Sequence, residues 1–247
     1  MIRPILDKAS SRILTADALG LILVLAALRA FTHGVTSSLR NMDASQSIYF
    51  FWVGLVAILV ALGLSKLKLN GIQASLGIVV IGVAGTWVLG ARLTYPLLDL
   101  GKAIFVTARQ IFPALQLHTP IDATGIVDAW RVVAEASGAL SIRLQAWLVS
   151  LNQGATVNDA LMRNLVWTLI MWLIAGWMGW FAARRNAAAS LLPSIVFLAA
   201  IISYSELRVY TLWLMVSVLL LLMGLWNYKE HTKQWERKKV DYSDSIR

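Results

Sequence analysis

The sequence predicts an all-α, polytopic membrane protein: about six transmembrane helices, with amphipathic helices in a long outer loop between spans 3 and 4. Three observations carry that expectation. Of 247 residues, 58% are hydrophobic and only 14% are charged, where a soluble domain carries roughly a quarter charged residues. The mean hydropathy is +0.69, which leaves too little polar surface to cover a globule in water. Apolar stretches of about 20 residues, the length a bilayer demands, recur along the chain.

The spans follow in order. The N-terminal "MIRPILDKASSRILTADALG" has no small-residue cleavage site behind a short apolar core and reads as a retained cytoplasmic lead-in. Span 1 is expected over 14–32, span 2 over 47–65 and span 3 over 71–91. After the long loop, span 4 covers 164–183, span 5, which carries Pro193, covers 188–205, and span 6 covers 207–228. Residues 1–93 therefore hold the N-terminus and spans 1 to 3, 94–163 the loop, 164–228 spans 4 to 6, and 229–247 a basic tail. Arg3, Lys8, Arg12, Lys66, Lys68, Arg184 and Arg185 fall on the same side as the tail if both termini are cytoplasmic. Short loops rich in Lys and Arg face the cytoplasm, so the chain is expected N-in and C-in. Trp52, Trp87, Trp167, Trp180 and Trp226 stand near span ends, where interfacial anchors belong.

The long loop is patterned. Leu97, Leu100, Ile104, Ala108, Ile111 and Leu115 recur at helical spacing, and Pro113 is expected to end or kink that helix. A second helix is expected over 126–137, where Arg131 and Glu135 stand four apart. A third carries Leu140, Leu144, Trp147, Leu148 and Leu151 on one stripe. Such helices lie in the membrane interface, cap the bundle or meet a partner.

Catalytic and metal chemistry find little footing. The chain has no cysteine, which removes disulfides, thiolate metal sites and a cysteine nucleophile. Asp17 and Arg29 share span 1, but twelve residues set them about 18 Å apart along a helix, so they are not a pair. No midplane carboxylate or histidine marks an ion pathway. His33, His118 and His231 are scattered over loops and span ends, without the close spacing a metal site needs. Ala175, Gly179 and Ala183 form a small-residue ridge on span 4, and Gly77, Gly82 and Gly85 cluster on span 3, both suited to helix packing. No cofactor is expected. The net charge of +9 is distributed beside spans rather than over one soluble face, so nucleic acid is not an expected partner.

The stretch 140–247 resembles the membrane half of bacterial transglutaminase-like integral membrane proteins. The resemblance rests on a tryptophan-rich span ending at Arg184-Arg185, then Leu191-Leu192-Pro193, a Leu-rich span, and a basic stretch with Trp235, Arg237, Val240, Asp241 and Tyr242. The lead-in "AWLVSLNQGATVNDALMRNLVW" is also similar. The family carries a Cys-His-Asp triad in a later extracytoplasmic domain, and without a cysteine none of it transfers to a position here. The resemblance implies a bacterial cytoplasmic (inner) membrane protein. The expected role is a non-catalytic anchor or scaffold that contacts membrane lipids and protein partners in the membrane. Lys233, Arg237, Lys238, Lys239 and Trp147 are the expected lipid or partner contacts. Two alternatives stand beside it: an accessory structural subunit of an energy-converting or photosynthetic complex, and the membrane half of a longer, active transglutaminase-like protease or amidase.

Overall fold

Eight α-helices and no strand form among the residues described by the computed structural model: α1 (Arg3–Ser38), α2 (Ala44–Lys66), α3 (Gly71–Gly90), α4 (Thr94–Leu117), α5 (Thr124–Asn152), α6 (Ala160–Ala183), α7 (Ala187–Tyr204) and α8 (Tyr210–Arg237). The described residues are 3–39, 42, 44–67, 69–117, 122–154, 159–204 and 210–237, with backbone alone for 3–17, 44, 111–117, 233, 236 and 237. Six helices are long and apolar enough to cross a membrane: Ala18–Ser38, Ser45–Lys66, Gly71–Gly90, Ala160–Ala183, Ala187–Tyr204 and Tyr210–Thr232. The chain is an all-α, multi-pass membrane protein. Hydrocarbon leaves no partner for a free backbone group, and the helix satisfies every one within the segment.

Two compact units divide the helices, Met1–Val79 with Met171–Arg247, and Val80–Ile170. In the first, α1 is the central helix and packs on α2, α7 and α8. Half of its membrane window is buried. Val24, Ala27, Leu28, Phe31 and Val35 lie on its covered side. Small residues bring its neighbours close: a Cβ on Gly34 would stand 2.9 Å from both Leu198 of α7 and Thr211 of α8. Gly20 lies against Trp226 while His33 bonds Tyr210, so α1 and α8 run antiparallel. Helix α2 runs alongside α6 in the same direction, since Gly54 meets Ala175 and Gly179 meets Ile58.

Helix ends are built by local rules. Asn70 and Gln73 exchange side-chain to backbone bonds across the first turn of α3, a reciprocal cap. The turn after α6 closes with Asn186 N–H donating to the Phe181 carbonyl and Arg185 N–H to that of Ala182. Arg185 takes the left-handed conformation, φ 55°, that glycine usually supplies at this position. Arg92 does the same after α3, with φ 54°. Asn186 then caps α7 through the Ala189 N–H.

In the second unit, α4 packs on α5. The half-buried side of α4 is Pro96, Leu100, Ala103 and Thr107, continuing from buried Leu93. Facing residues of α5 include buried Val133 and Leu140 with half-buried Ile126, Ala129, Leu144 and Trp147.

Several expectations shift. The helices expected over 126–137 and from Leu140 onward are one continuous α5, because Gly138 is an ordinary helical residue rather than a break. Helix α4 continues through Pro113 to Leu117. Helix α1 begins at Arg3, well before the expected start of span 1, and ends at Ser38. Trp180 and Trp226 are buried among side chains rather than facing lipid as anchors.

Candidate functional site

Among the described residues, polar chemistry gathers at three places. At the Ser38 end of α1, the Arg29 Nη1 donates to Ser47 Oγ of α2 at 2.6 Å. One turn on, His33 Nε2 lies 2.9 Å from the Tyr210 hydroxyl of α8. In the sequence Arg29 stands as an unpaired charge of span 1 and His33 as one of three scattered histidines. Periodicity on α1 puts Arg29 and His33 on one face, but only the fold supplies Ser47 and Tyr210. Asp17 belongs to the backbone-only part of α1.

The second place is the start of α6. Asp159 accepts from the Leu161 and Met162 N–H groups at 2.9 and 3.2 Å, capping the helix. The same carboxylate takes a forked bond from Arg143 of α5, 2.7 Å from Nε and 3.0 Å from Nη2. The Arg143 hydrogen bonds hold the Asp159 carboxyl below the usual carboxylate range, against the opposing effect of burial. This arrangement fastens α5 to the start of α6.

The third is the surface of α4 and α5. Two ion pairs form within these helices, Asp99 with Lys102 at 2.9 Å and Asp128 with Arg131 at 3.8 Å. Arg109 lies over the Phe105 ring at 4.4 Å. Beside these, large apolar side chains stand in the open: Tyr95 at 78% of full exposure, Phe105 at 57%, Trp130 at 59% and Ile142 at 70%. Leu97, Ile104 and Leu148, expected on the apolar stripes, are exposed as well. Trp147 is half-buried.

The small residues picked out for packing separate by position. Ala175 and Gly179 are buried against α2, and a Cβ on Gly179 would stand 2.9 Å from the Ile58 Cα. Ala183, one turn later, is exposed. Gly77 has only Leu64 at contact distance, Gly85 has open space, and the buried Gly82 passes its carbonyl to the Thr86 hydroxyl. The neighbouring Trp172 indole donates to the Ile78 carbonyl of α3 at 2.8 Å. Indole N–H groups usually find a partner when buried, and this one ties α6 to α3.

Among the described residues no cluster of three His, Asp or Glu side chains is placed to hold a metal. His231 lies near Trp235 on α8, and His118 is outside the described residues. Lys233 and Arg237 fall on the last turns of α8, where only the backbone is described, and Lys238 and Lys239 lie outside the described residues. No family model matches the chain, nor does any curated protein or solved structure. Nothing in those comparisons links it to transglutaminase-like membrane proteins.

Proposed function

We propose that this protein is a non-catalytic scaffold of the bacterial cytoplasmic membrane, held by its spans with both termini in the cytoplasm, and that α4 and α5 form the surface its protein partners engage. The exposure of Tyr95, Phe105, Trp130 and Ile142 beside self-paired charges supports this reading. Contiguous apolar surface rimmed by polar groups marks interaction sites, because leaving it in water is unfavourable. The basic residues Lys233, Arg237, Lys238 and Lys239 add attraction to anionic lipid of about 1 kcal/mol per charge near the surface. In cells carrying a photo-cross-linking amino acid at Trp130, ultraviolet light is expected to join the chain to one defined protein. The same probe at Glu135, among the charges, gives little product. Adducts with lipid alone at Trp130 would instead make α4 and α5 an interfacial anchor and remove the scaffold reading.

A second reading, an accessory subunit of a larger energy-converting or photosynthetic complex, draws support from tryptophans on the outside of spans, Trp52 at 58% and Trp213 at 67% exposure. It expects a pigment or a fixed set of subunits to remain with the chain after extraction in mild detergent. Extraction as an isolated, colourless chain removes it.

A further inference from the structure

Arg29 is an exposed cation within a membrane-crossing helix, nine residues before its end at Ser38. Charges in such helices ordinarily face the bundle interior or a partner. Among the described residues no carboxylate stands within ion-pair distance of Arg29. Its depth follows from its neighbours rather than from its count along α1. Ser47 lies in the opening turn of the span that begins at Ser45, and Tyr210 is the first residue of the span Tyr210–Thr232. Both partners of the α1 face thus stand at the ends of their own spans, where a bilayer passes from acyl chains to phosphates. Helix α1 simply continues beyond them.

The face itself has the form of a receptor. Ile22, Ala26 and Arg29 are exposed at intervals of four and three residues, and His33 continues the row half-buried. Helix α2 borders this row through Ser47, and α8 borders it through Tyr210. A guanidinium has five N–H donors in a flat fork that matches phosphate oxygens. Ser47, itself buried, engages Nη1 and fixes the plane, leaving donors on the other edge free to point outward. Whichever way the proton lies between His33 and Tyr210, the pair sets a further polar group one turn above.

We propose that Arg29, braced by Ser47 and flanked by His33 and Tyr210, binds the phosphate of an anionic phospholipid. One acyl chain lies along α1 over Ala26 and Ile22, between α2 and α8. The lipid is preferred to free phosphate because the apolar row continues directly below the guanidinium, where an inorganic ion gains nothing.

The full chain, purified and placed in phosphatidylcholine nanodiscs with increasing phosphatidylglycerol, tests this by native mass spectrometry and thermal unfolding. The native chain is expected to retain one phosphatidylglycerol and to melt higher as that lipid is added. Arg29→Gln is expected to weaken retention about tenfold or more, the loss of a charge-assisted forked bond, and Arg29→Lys to restore only part. Neutralising Lys233, Arg237, Lys238 and Lys239 together leaves the retained lipid in place, which separates this site from the basic tail. Inorganic phosphate added in pure phosphatidylcholine has no effect; equal stabilisation by it overturns the lipid assignment. If phosphatidylglycerol raises the melting point of neither the native chain nor Arg29→Gln and neither retains it, the proposal fails. Should Arg29→Gln not fold, Tyr210→Phe carries the comparison, with an expected loss of about threefold for one neutral hydrogen bond; unchanged retention in that variant overturns the site.

Discussion

Gly179 shows how little room separates two spans. A Cβ there would meet the Ile58 Cα at 2.9 Å and the Ile58 carbonyl oxygen at 3.0 Å, both backbone atoms that cannot swing aside. Gly179→Ala is therefore expected to cost about 1–3 kcal/mol through overpacking. Gly63, with nothing within 4 Å, is the control: Gly63→Ala is expected to be neutral or to stabilise by up to about 1 kcal/mol through helix propensity. Thermal unfolding in detergent compares them, and equal melting points would show that α2 and α6 do not meet at this ridge. The ridge Ala175-Gly179 is visible in sequence as small residues four apart. That Ala183 leaves the contact is not, because spacing reports a helix face and not where the partner helix stops. Trp180 and Trp226 teach the same lesson: composition puts tryptophan near span ends, while packing decides which ones turn inward.

At the scale of elements, the joint between α5 and α6 is the place where charge matters. Asp159 caps α6 and receives the Arg143 fork. Asp159→Ala is expected to cost about 1 kcal/mol for the cap, with a smaller contribution from the pair because Arg143 is half exposed to solvent. Asp159→Asn keeps the cap and loses only the ion pair. The Asp159 carboxyl titrates below its ordinary value in the folded state, so the unfolded state takes up its proton first as pH falls. Its stabilisation is complete above the ordinary carboxylate range and drains away below about pH 4. Melting curves at neutral pH and near pH 3 should show a larger acid loss for the native chain than for Asp159→Asn; parallel losses would assign the acid sensitivity elsewhere. The α4 and α5 helices themselves were partly legible. Their apolar stripes stand out by periodicity, but the seam of α4 runs through Pro96, Leu100, Ala103 and Thr107, of which only Leu100 belongs to the stripe. Small and polar residues make no hydrophobic peak, so the face that packs was hidden behind the face that does not.

For the molecule as a whole, hydropathy alone gives six spans, because a bilayer admits few alternatives to a long apolar helix. Boundaries were harder where a helix continues out of the apolar region, as α1 does towards Arg3 and α8 towards Arg237. The polar pairs Arg29–Ser47 and His33–Tyr210 were not legible, since each joins residues far apart in sequence. Orientation is open to a direct measurement, because a chain with no cysteine is already the background that labelling requires. With both termini cytoplasmic, Gln145→Cys is expected to react with a membrane-impermeant maleimide in spheroplasts. Lys66→Cys is expected to react only after permeabilisation. The reverse pattern inverts the whole arrangement.

The central place of α1 also sets an order of events during synthesis. Its neighbours α7 and α8 are encoded some 150 residues and more downstream. At about 5–20 residues per second, the interval between the emergence of α1 and that of α8 is on the order of 10–30 s. Until α7 emerges, α1 has only α2 of its final close partners, and Phe31 has not yet met Phe197 of α7. Helix α8 thus completes the packing of a helix made well before it, and α1 waits in the membrane for partners encoded far downstream.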